Sequence, residues 1–209
     1  CHALDLLGHG DSAKPTAPEA YSPQAICAHA FAWIESLNLK TPFRLVGHSL
    51  GGYVALHYAL EHGQNLHGLG LIAPYYSEDQ LHPLTHQALH KPPKEGRRIW
   101  QPQLWLSQLI SIWFNNAARL QPSARRQLAL DERRANLWAL FGGAAGIDDL
   151  YPRLPEVNMP TLVIWGARDR TLDPASFPHM LGALPEGRGL EIERSGHIPQ
   201  LAFPEQVNP

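Results

Sequence analysis

One serine of the chain stands between glycines at a spacing that could support nucleophilic chemistry. In the stretch Gly47-His48-Ser49-Leu50-Gly51, an apolar run ends and a helical pattern begins. A serine hydroxyl is a weak nucleophile, so it needs a general base, an exposed position and donors for an oxyanion. A sharp strand-to-helix turn would expose Ser49, and its crowding would require small residues at Gly47 and Gly51. The N–H of Leu50, at the start of the helix, would point at the developing negative charge.

An acid and a base follow, each at the end of a later apolar run. His197 would take the proton from Ser49 and return it to the leaving group, while Asp169 would hold the imidazole in the required tautomer. The chain order serine, aspartate, histidine is the one that this strand-turn-helix arrangement uses. Asp173 and Asp79 are the alternative acids, although Asp173 stands before a proline and is also typical of a helix cap.

Short apolar runs predict the strands that must position these side chains. The predicted strands are a strand tail at 1–6 and four runs at 43–47, 66–74, 161–166 and 189–196. A helix is predicted to begin at Pro23 behind the N-cap residue Ser22, and another spans 50–62 before Gly63. Strands that alternate with helices are typical of a mostly parallel sheet with helices on both faces, so the predicted fold class is α/β. Such sheets place their functional residues at the carboxyl ends of the strands.

The pattern changes between Tyr75 and about Pro160, where no strand signal is clear. Two helices are predicted there, at 107–119 and 122–141. The chain is therefore divided into a first core segment, a helical cap and a second core segment, at 1–74, 75–155 and 156–209.

Substrate specificity is expected to lie mainly in this cap. The stretch 104–114 is apolar nearly all round, so both of its faces should be buried. It could line an acyl or aryl pocket, or it could only pack the cap onto the sheet. We assign Trp105 and Trp113 to substrate binding, together with His48 and Ile198, which adjoin the serine and the histidine.

A metal site is not expected. His82, His86 and His90 are four residues apart and would share one face of a helix. Pro83 interrupts them, and no Glu or Cys accompanies them, so the cluster does not match a metal-ligand set. The sequence therefore predicts no metal and no cofactor.

Composition argues against several classes of partner. The net charge is −2 and there is no basic tract, which speaks against nucleic acid. No apolar run approaches the ~18 residues of a membrane span. Two cysteines, Cys1 and Cys27, do not suggest a disulfide framework, and no signal peptide is visible. These features favour a cytoplasmic protein that acts on a small molecule, with no signal for its oligomeric state.

Four segments, in the correct order, resemble the α/β-hydrolase fold superfamily. They are LDLLGHGDS at 4–12, VGHSLGG at 46–52, TLVIWGARD at 161–169 and SGHIPQLAFPEQVN at 195–208. The second resembles the family's nucleophile elbow, the third its acid loop and the fourth its histidine loop. The resemblance implies that residues 75–155 form the family's cap.

The resemblance also implies segments that have no counterpart here. Members of the family carry three further strands and a helix before the first segment, a loop that supplies a second oxyanion N–H, and a helix after the histidine loop. The sequence is therefore interpreted as an internal fragment with unpaired sheet edges, which would be poorly stable and nearly inactive alone.

The nature of the nucleophile limits the chemistry. A serine argues against the haloalkane dehalogenase and epoxide hydrolase branches, which need a carboxylate. The predicted function is hydrolysis of a small, largely apolar carboxylic ester, thioester or lactone through an acyl-enzyme. The alternatives are a carbon–carbon bond hydrolase or a cofactor-free peroxidase on the same three residues, and a ligand-binding member without catalysis. Carbon–carbon hydrolases of this fold often carry Trp after the catalytic histidine, where this chain has Ile198.

Overall fold

A parallel sheet of four strands forms the centre of the protein. The structure, a computed structural model, describes residues 1–83, 86 and 145–208. The strands are β1 (Phe43–His48), β2 (Leu66–Ile72), β3 (Thr161–Gly166) and β4 (Gly187–Ile192), which lie side by side in that order. His48 pairs with Ile72, and Gly166 pairs with Ile192. The carboxyl ends of the strands therefore meet at one edge of the sheet, as expected for the α/β class.

Five α-helices are seen in the described part of the chain. They are α1 (Pro23–Ser36), α2 (Leu50–His62), α3 (Ser176–Ala183), α4 (Pro199–Ala202) and α5 (Pro204–Val207), with short 3-10 helices at Pro18–Tyr21, Gly63–Asn65, Glu78–Gln80 and Tyr151–Glu156. The hydroxyl of Ser22 accepts the N–H of Ala25 at 3.2 Å, and Pro23 is the first residue of α1, which confirms the predicted cap. None of these helices is long and apolar enough to cross a membrane.

The side chains of β3 show how the helices cover the sheet. Val163 and Trp165 belong to the larger hydrophobic cluster, which α1, α2 and α3 complete. Ile164, between them, belongs to a smaller cluster with Ile198 and Phe203, beside α4 and α5. Because successive side chains of a strand point to opposite faces, the two clusters lie on opposite faces of the sheet. Helices on both faces are thus confirmed.

Two strands end earlier than predicted. β2 ends at Ile72 because Ala73 has a φ of +40° and Pro74 has no N–H for the ladder. β4 ends at Ile192, whose carbonyl accepts the N–H of Ser195 in a turn. Both endings redirect the chain at the carboxyl edge of the sheet.

The predicted strand tail at residues 1–6 is wrong. These residues have no regular secondary structure until a turn begins near Leu7. They share with β1 the walls of a cleft of about 660 Å³, and none of the four described strands pairs with them. A strand is defined by a hydrogen-bonded neighbour, which is what these residues lack within the described structure.

The central part of the predicted cap lies outside the described residues. This applies to the helices predicted at 107–119 and 122–141, to the proposed substrate residues Trp105 and Trp113, and to His90. The bounds of the cap stay a prediction.

Candidate active site

Ser49 lies at the turn between β1 and α2, at the carboxyl edge of the sheet. Its φ is +52° and its ψ is −118°, a conformation that residues with a side chain rarely adopt and that costs about 1–3 kcal/mol. The surrounding backbone holds it in place. Its N–H donates to the carbonyl of Ile72 at 3.0 Å, and its carbonyl accepts the N–H groups of Gly52 at 2.8 Å and Tyr75 at 3.1 Å. Leu50 follows as the first residue of α2, so its N–H has no intrahelical acceptor.

The glycines around Ser49 do not contribute equally to this turn. A Cβ on Gly47 would lie 2.1 Å from the carbonyl oxygen of Gly51, and one on Gly52 would lie 2.8 Å from Pro74. A Cβ on Gly51 would have no described atom within 4 Å. The expectation that Gly51 must be small is therefore wrong. The second position of this turn at which a side chain would clash is Gly52, because α2 packs against Pro74, which follows β2.

Gly47→Ala is expected to destabilise the protein by about 3 kcal/mol, because the new methyl group would overlap backbone that cannot move independently. Gly51→Ala is the matched control. Alanine in a helix is favoured over glycine by up to about 1 kcal/mol, so this variant should be as stable as the original or more stable. Urea unfolding of both variants measures the difference. Equal stabilities would show that the turn is not crowded at Gly47.

His197 contacts both of the other predicted catalytic side chains. Its Nε2 lies 2.9 Å from the hydroxyl oxygen of Ser49, and its Nδ1 lies 2.7 Å from Oδ2 of Asp169. Asp169 and His197 are 5% and 7% exposed. Because a carboxylate accepts the Nδ1 proton, Nε2 is left unprotonated and can accept the hydroxyl proton of Ser49. The structure thus brings these three side chains into hydrogen-bond distance, in the geometry that the predicted roles of nucleophile, base and orienting acid require.

The carboxylate of Asp169 is fixed by the loop that carries it. Its Oδ1 accepts the backbone N–H groups of Thr171 at 2.8 Å and Leu172 at 3.1 Å, which leaves Oδ2 facing the imidazole. The alternative acids have other places. Asp173 is exposed and accepts the N–H of Ala175 at 3.0 Å, before α3, as a capping residue does. Asp79 is exposed as well.

The acid loop and the histidine loop are joined through their backbones. The N–H of Arg168 donates to the carbonyl of Ser195 at 2.9 Å. A Cβ on Gly166 would lie 2.2 Å from the carbonyl oxygen of Gly196, so the two loops cross at van der Waals contact. Sequence reasoning missed Gly166 as a site residue. Its signal was a glycine at the end of a buried strand, which often marks a close approach of backbone.

His48 and Ile198, predicted to contact the substrate, both have partners within the protein. Nε2 of His48 donates to the carbonyl oxygen of His197 at 2.8 Å, and the two imidazole rings are 5.0 Å apart. Burial, with a smaller contribution from His197, lowers the pKa of His48 to about 4, so this histidine is neutral at pH 7. Ile198 is 8% exposed and packs in the smaller hydrophobic cluster. Contact of either side chain with substrate stays a prediction.

The lowered pKa of His48 predicts a loss of stability in acid. Between pH 6.5 and about 4, the unfolded chain binds a proton at this histidine that the folded chain does not, so the free energy of unfolding falls as the pH is lowered. The expected contribution is about 3 kcal/mol, complete near pH 4. His48→Gln retains an N–H donor for His197 without a titrating group. Urea unfolding at pH 7 and pH 4.5 should show a smaller loss in the variant, and equal losses would contradict the account.

Metal-ligating side chains do not cluster in the described ranges 1–83, 86 and 145–208. His82 and His86 lie in that part of the chain, and the third histidine of the set does not. The site described above is built from a hydroxyl, an imidazole and a carboxylate, and that set suits proton transfer and nucleophilic attack.

The chain is similar to known proteins both in sequence and in fold. The whole chain, residues 1–209, matches a family model described as Alpha/beta hydrolase family. The pimeloyl-[acyl-carrier protein] methyl ester esterase of Stenotrophomonas maltophilia is 28% identical over 212 residues, which is 99% of this chain and 78% of that protein. An esterase from Exiguobacterium antarcticum superposes with a TM-score of 0.76 at 21% identity, covering 97% of this chain and 76% of that one. A bromoperoxidase from Bacillus anthracis superposes with a TM-score of 0.77 at 19% identity, with the same coverages. Both structures share the fold.

Proposed function

Because the chain belongs to the alpha/beta hydrolase family, we propose that it hydrolyses small carboxylic esters, thioesters or lactones through an acyl-enzyme on Ser49. One observation carries the proposal. His197 lies 2.9 Å from the hydroxyl of Ser49 and 2.7 Å from the carboxylate of Asp169, which is the arrangement that activates a serine. The strained turn at Ser49 supports it, since such strain persists where a position serves function.

The proposed reaction has two halves. In the first, the hydroxyl oxygen of Ser49 bonds to the ester carbonyl carbon as its proton moves to Nε2 of His197. The N–H of Leu50 donates to the oxyanion that forms. The imidazolium, held by Asp169, then gives this proton to the leaving alcohol as the ester bond breaks. In the second half, water gives a proton to His197 and attacks the acyl-enzyme, and Ser49 regains its hydrogen as the acid leaves.

The expected substrate has an apolar acyl or aryl group. The sequence of the predicted cap supports this, because eight of the eleven residues at 104–114 are apolar, Trp105 and Trp113 among them. The name of the Stenotrophomonas maltophilia relative supports an ester with a small alcohol part, since that protein is a methyl ester esterase. We therefore propose esters of an apolar acyl or aryl acid with methanol or a similarly small alcohol as the first class to test.

A substrate series tests this function. The protein, including any residues that flank this sequence naturally, is incubated with p-nitrophenyl and methyl esters from acetyl to dodecanoyl, and product release is followed. Turnover with a clear acyl-length optimum is expected. Faster cleavage of a vinylogous diketone than of any ester would establish a carbon–carbon hydrolase instead. Peroxide-dependent halide oxidation in acetate would establish a peroxidase, and saturable binding without turnover would establish a ligand-binding protein.

A further inference from the structure

A short segment after β2 runs beside the loop that carries Asp169. We call residues 80–82 the strap. The N–H of Asp173 donates to the carbonyl of Gln80 at 2.7 Å, and the N–H of His82 donates to the carbonyl of Thr171 at 3.1 Å. Between these bonds, Leu81 and Leu172 form an antiparallel bridge. The strap thus pairs with residues 171–173 as one strand pairs with another.

The side chain of Gln80 anchors the strap in the core. It is 2% exposed, and its amide makes four hydrogen bonds. Its Oε1 accepts the N–H groups of Tyr76 at 2.7 Å and Ser77 at 3.2 Å. Its Nε2 donates to the carbonyl of Pro74 at 3.1 Å and to the hydroxyl of Ser176 at 3.0 Å. A buried amide with every bond satisfied fixes its surroundings rigidly, because any movement would leave a polar group unpaired.

The paired loop holds the catalytic acid through the same residues. The N–H groups of Thr171 and Leu172 donate to Oδ1 of Asp169, while the strap bonds to the carbonyl of Thr171. The other oxygen of Asp169 faces Nδ1 of His197. A continuous set of hydrogen bonds therefore runs from Gln80 through the strap and the loop to the imidazole.

We propose that Gln80 is a positioning residue for the reaction: through the strap it holds the Asp169 carboxylate at hydrogen-bond distance from His197. This inference rests on the proposed function, because positioning the acid matters only if His197 acts as a base. Several hydrogen bonds separate Gln80 from the hydroxyl of Ser49 and the imidazole of His197. We therefore expect Gln80 to act only through the geometry of the Asp169 carboxylate. A change in the geometry of a catalytic group of 1 Å lowers turnover by up to about a hundredfold.

A double-mutant test separates positioning from general destabilisation. Gln80→Leu is expected to lower kcat for the best ester by about tenfold or more with KM nearly unchanged. In the Asp169→Asn background the same change should alter kcat by less than about twofold, since the group it positions is already altered. Thr161→Val is the matched control. Thr161 is 3% exposed and bonds the carbonyl of Met159 at the opposite edge of the sheet, so its loss should cost stability but leave kcat unchanged.

A milder variant covers the case in which Gln80→Leu does not fold. Ser176→Ala removes the acceptor of the Gln80 amide on the loop side and the 2.7 Å bond from the same hydroxyl to the carbonyl of Asp173, and Ser176 is itself partly exposed. It should lower kcat severalfold in the original protein and leave kcat unchanged in Asp169→Asn. Equal losses of kcat in both backgrounds, with either variant, would overturn the positioning role.

A spectroscopic readout keeps the inference separate from the proposed function. The Nδ1 proton of His197, shared with Asp169, should give a low-field NMR signal, assigned by its loss in His197→Gln. Gln80→Leu and Ser176→Ala should move or broaden this signal, and Thr161→Val should not. A signal that does not move would refute the inference even in an active enzyme. A signal that moves in a protein without ester turnover would support the inference and refute the proposed function alone.

Discussion

Ser49→Ala is expected to lower ester turnover by about a millionfold. The residual activity would come from substrate binding and the oxyanion donor. The hydroxyl is the only protein group that bonds to the acyl carbon in the proposed reaction, so its loss removes the acyl-enzyme entirely. The variant should fold, because alanine is smaller and the backbone bonds of Ser49 to Ile72 and Tyr75 do not use the side chain. Steady-state hydrolysis of the best p-nitrophenyl ester measures the loss.

Ser22→Ala is the matched control for that loss. Ser22 caps α1. Among the described residues, its hydroxyl accepts the N–H of Ala25, far from the candidate active site in sequence. Its replacement should cost about 1 kcal/mol of stability and leave turnover unchanged. Retention of more than about a hundredth of the original rate by Ser49→Ala, beside a fully active Ser22→Ala, would mean that another group is the nucleophile.

Asp169→Asn is expected to lower kcat by about ten thousandfold with a small change in KM. The asparagine amide keeps the shape of the carboxylate and can still accept the N–H groups of Thr171 and Leu172. Its NH2 group would then face Nδ1 of His197 and favour the tautomer with the proton on Nε2, which cannot take the proton of Ser49. The loss of kcat arises from a wrong tautomer, and it is measured with the same ester.

Asp173→Asn is the control for this change, because Asp173 is the nearest rival acid in the sequence. Its carboxylate is exposed and caps the turn before α3, and an asparagine oxygen can still accept the N–H of Ala175. Turnover should therefore stay within about twofold. A large loss in Asp173→Asn with full activity in Asp169→Asn would reverse the assignment of the acid.

The sequence alone predicts the parts of the fold that depend on local pattern. The run 161–166 and the helix 50–62 have the bounds predicted from apolar spacing, and the cap at Ser22 follows from residue type. The meeting of Ser49, Asp169 and His197 is also predictable. In a parallel sheet, residues that follow strand ends must collect at one edge, whatever their distance in sequence.

The remaining features depend on contacts between segments distant in sequence. Whether residues 1–6 form a strand depends on a neighbour, which no local pattern reveals. That Gly52 and not Gly51 is crowded follows from the position of Pro74, a residue after the next strand. The strap cannot be predicted from the sequence for the same reason. The role proposed for Gln80 depends on the packing of residues 80–82 beside the loop that carries Asp169.

The measurement that tests the central claim most directly is the site of covalent modification by a fluorophosphonate. The folded protein is treated with the probe, digested, and examined by mass spectrometry, with His197→Gln treated in parallel. The account predicts one adduct, on Ser49, that forms far more slowly in the variant, because Ser49 is reactive only when His197 accepts its proton. No adduct in the folded protein, an adduct on another residue, or equal rates in both proteins would contradict it.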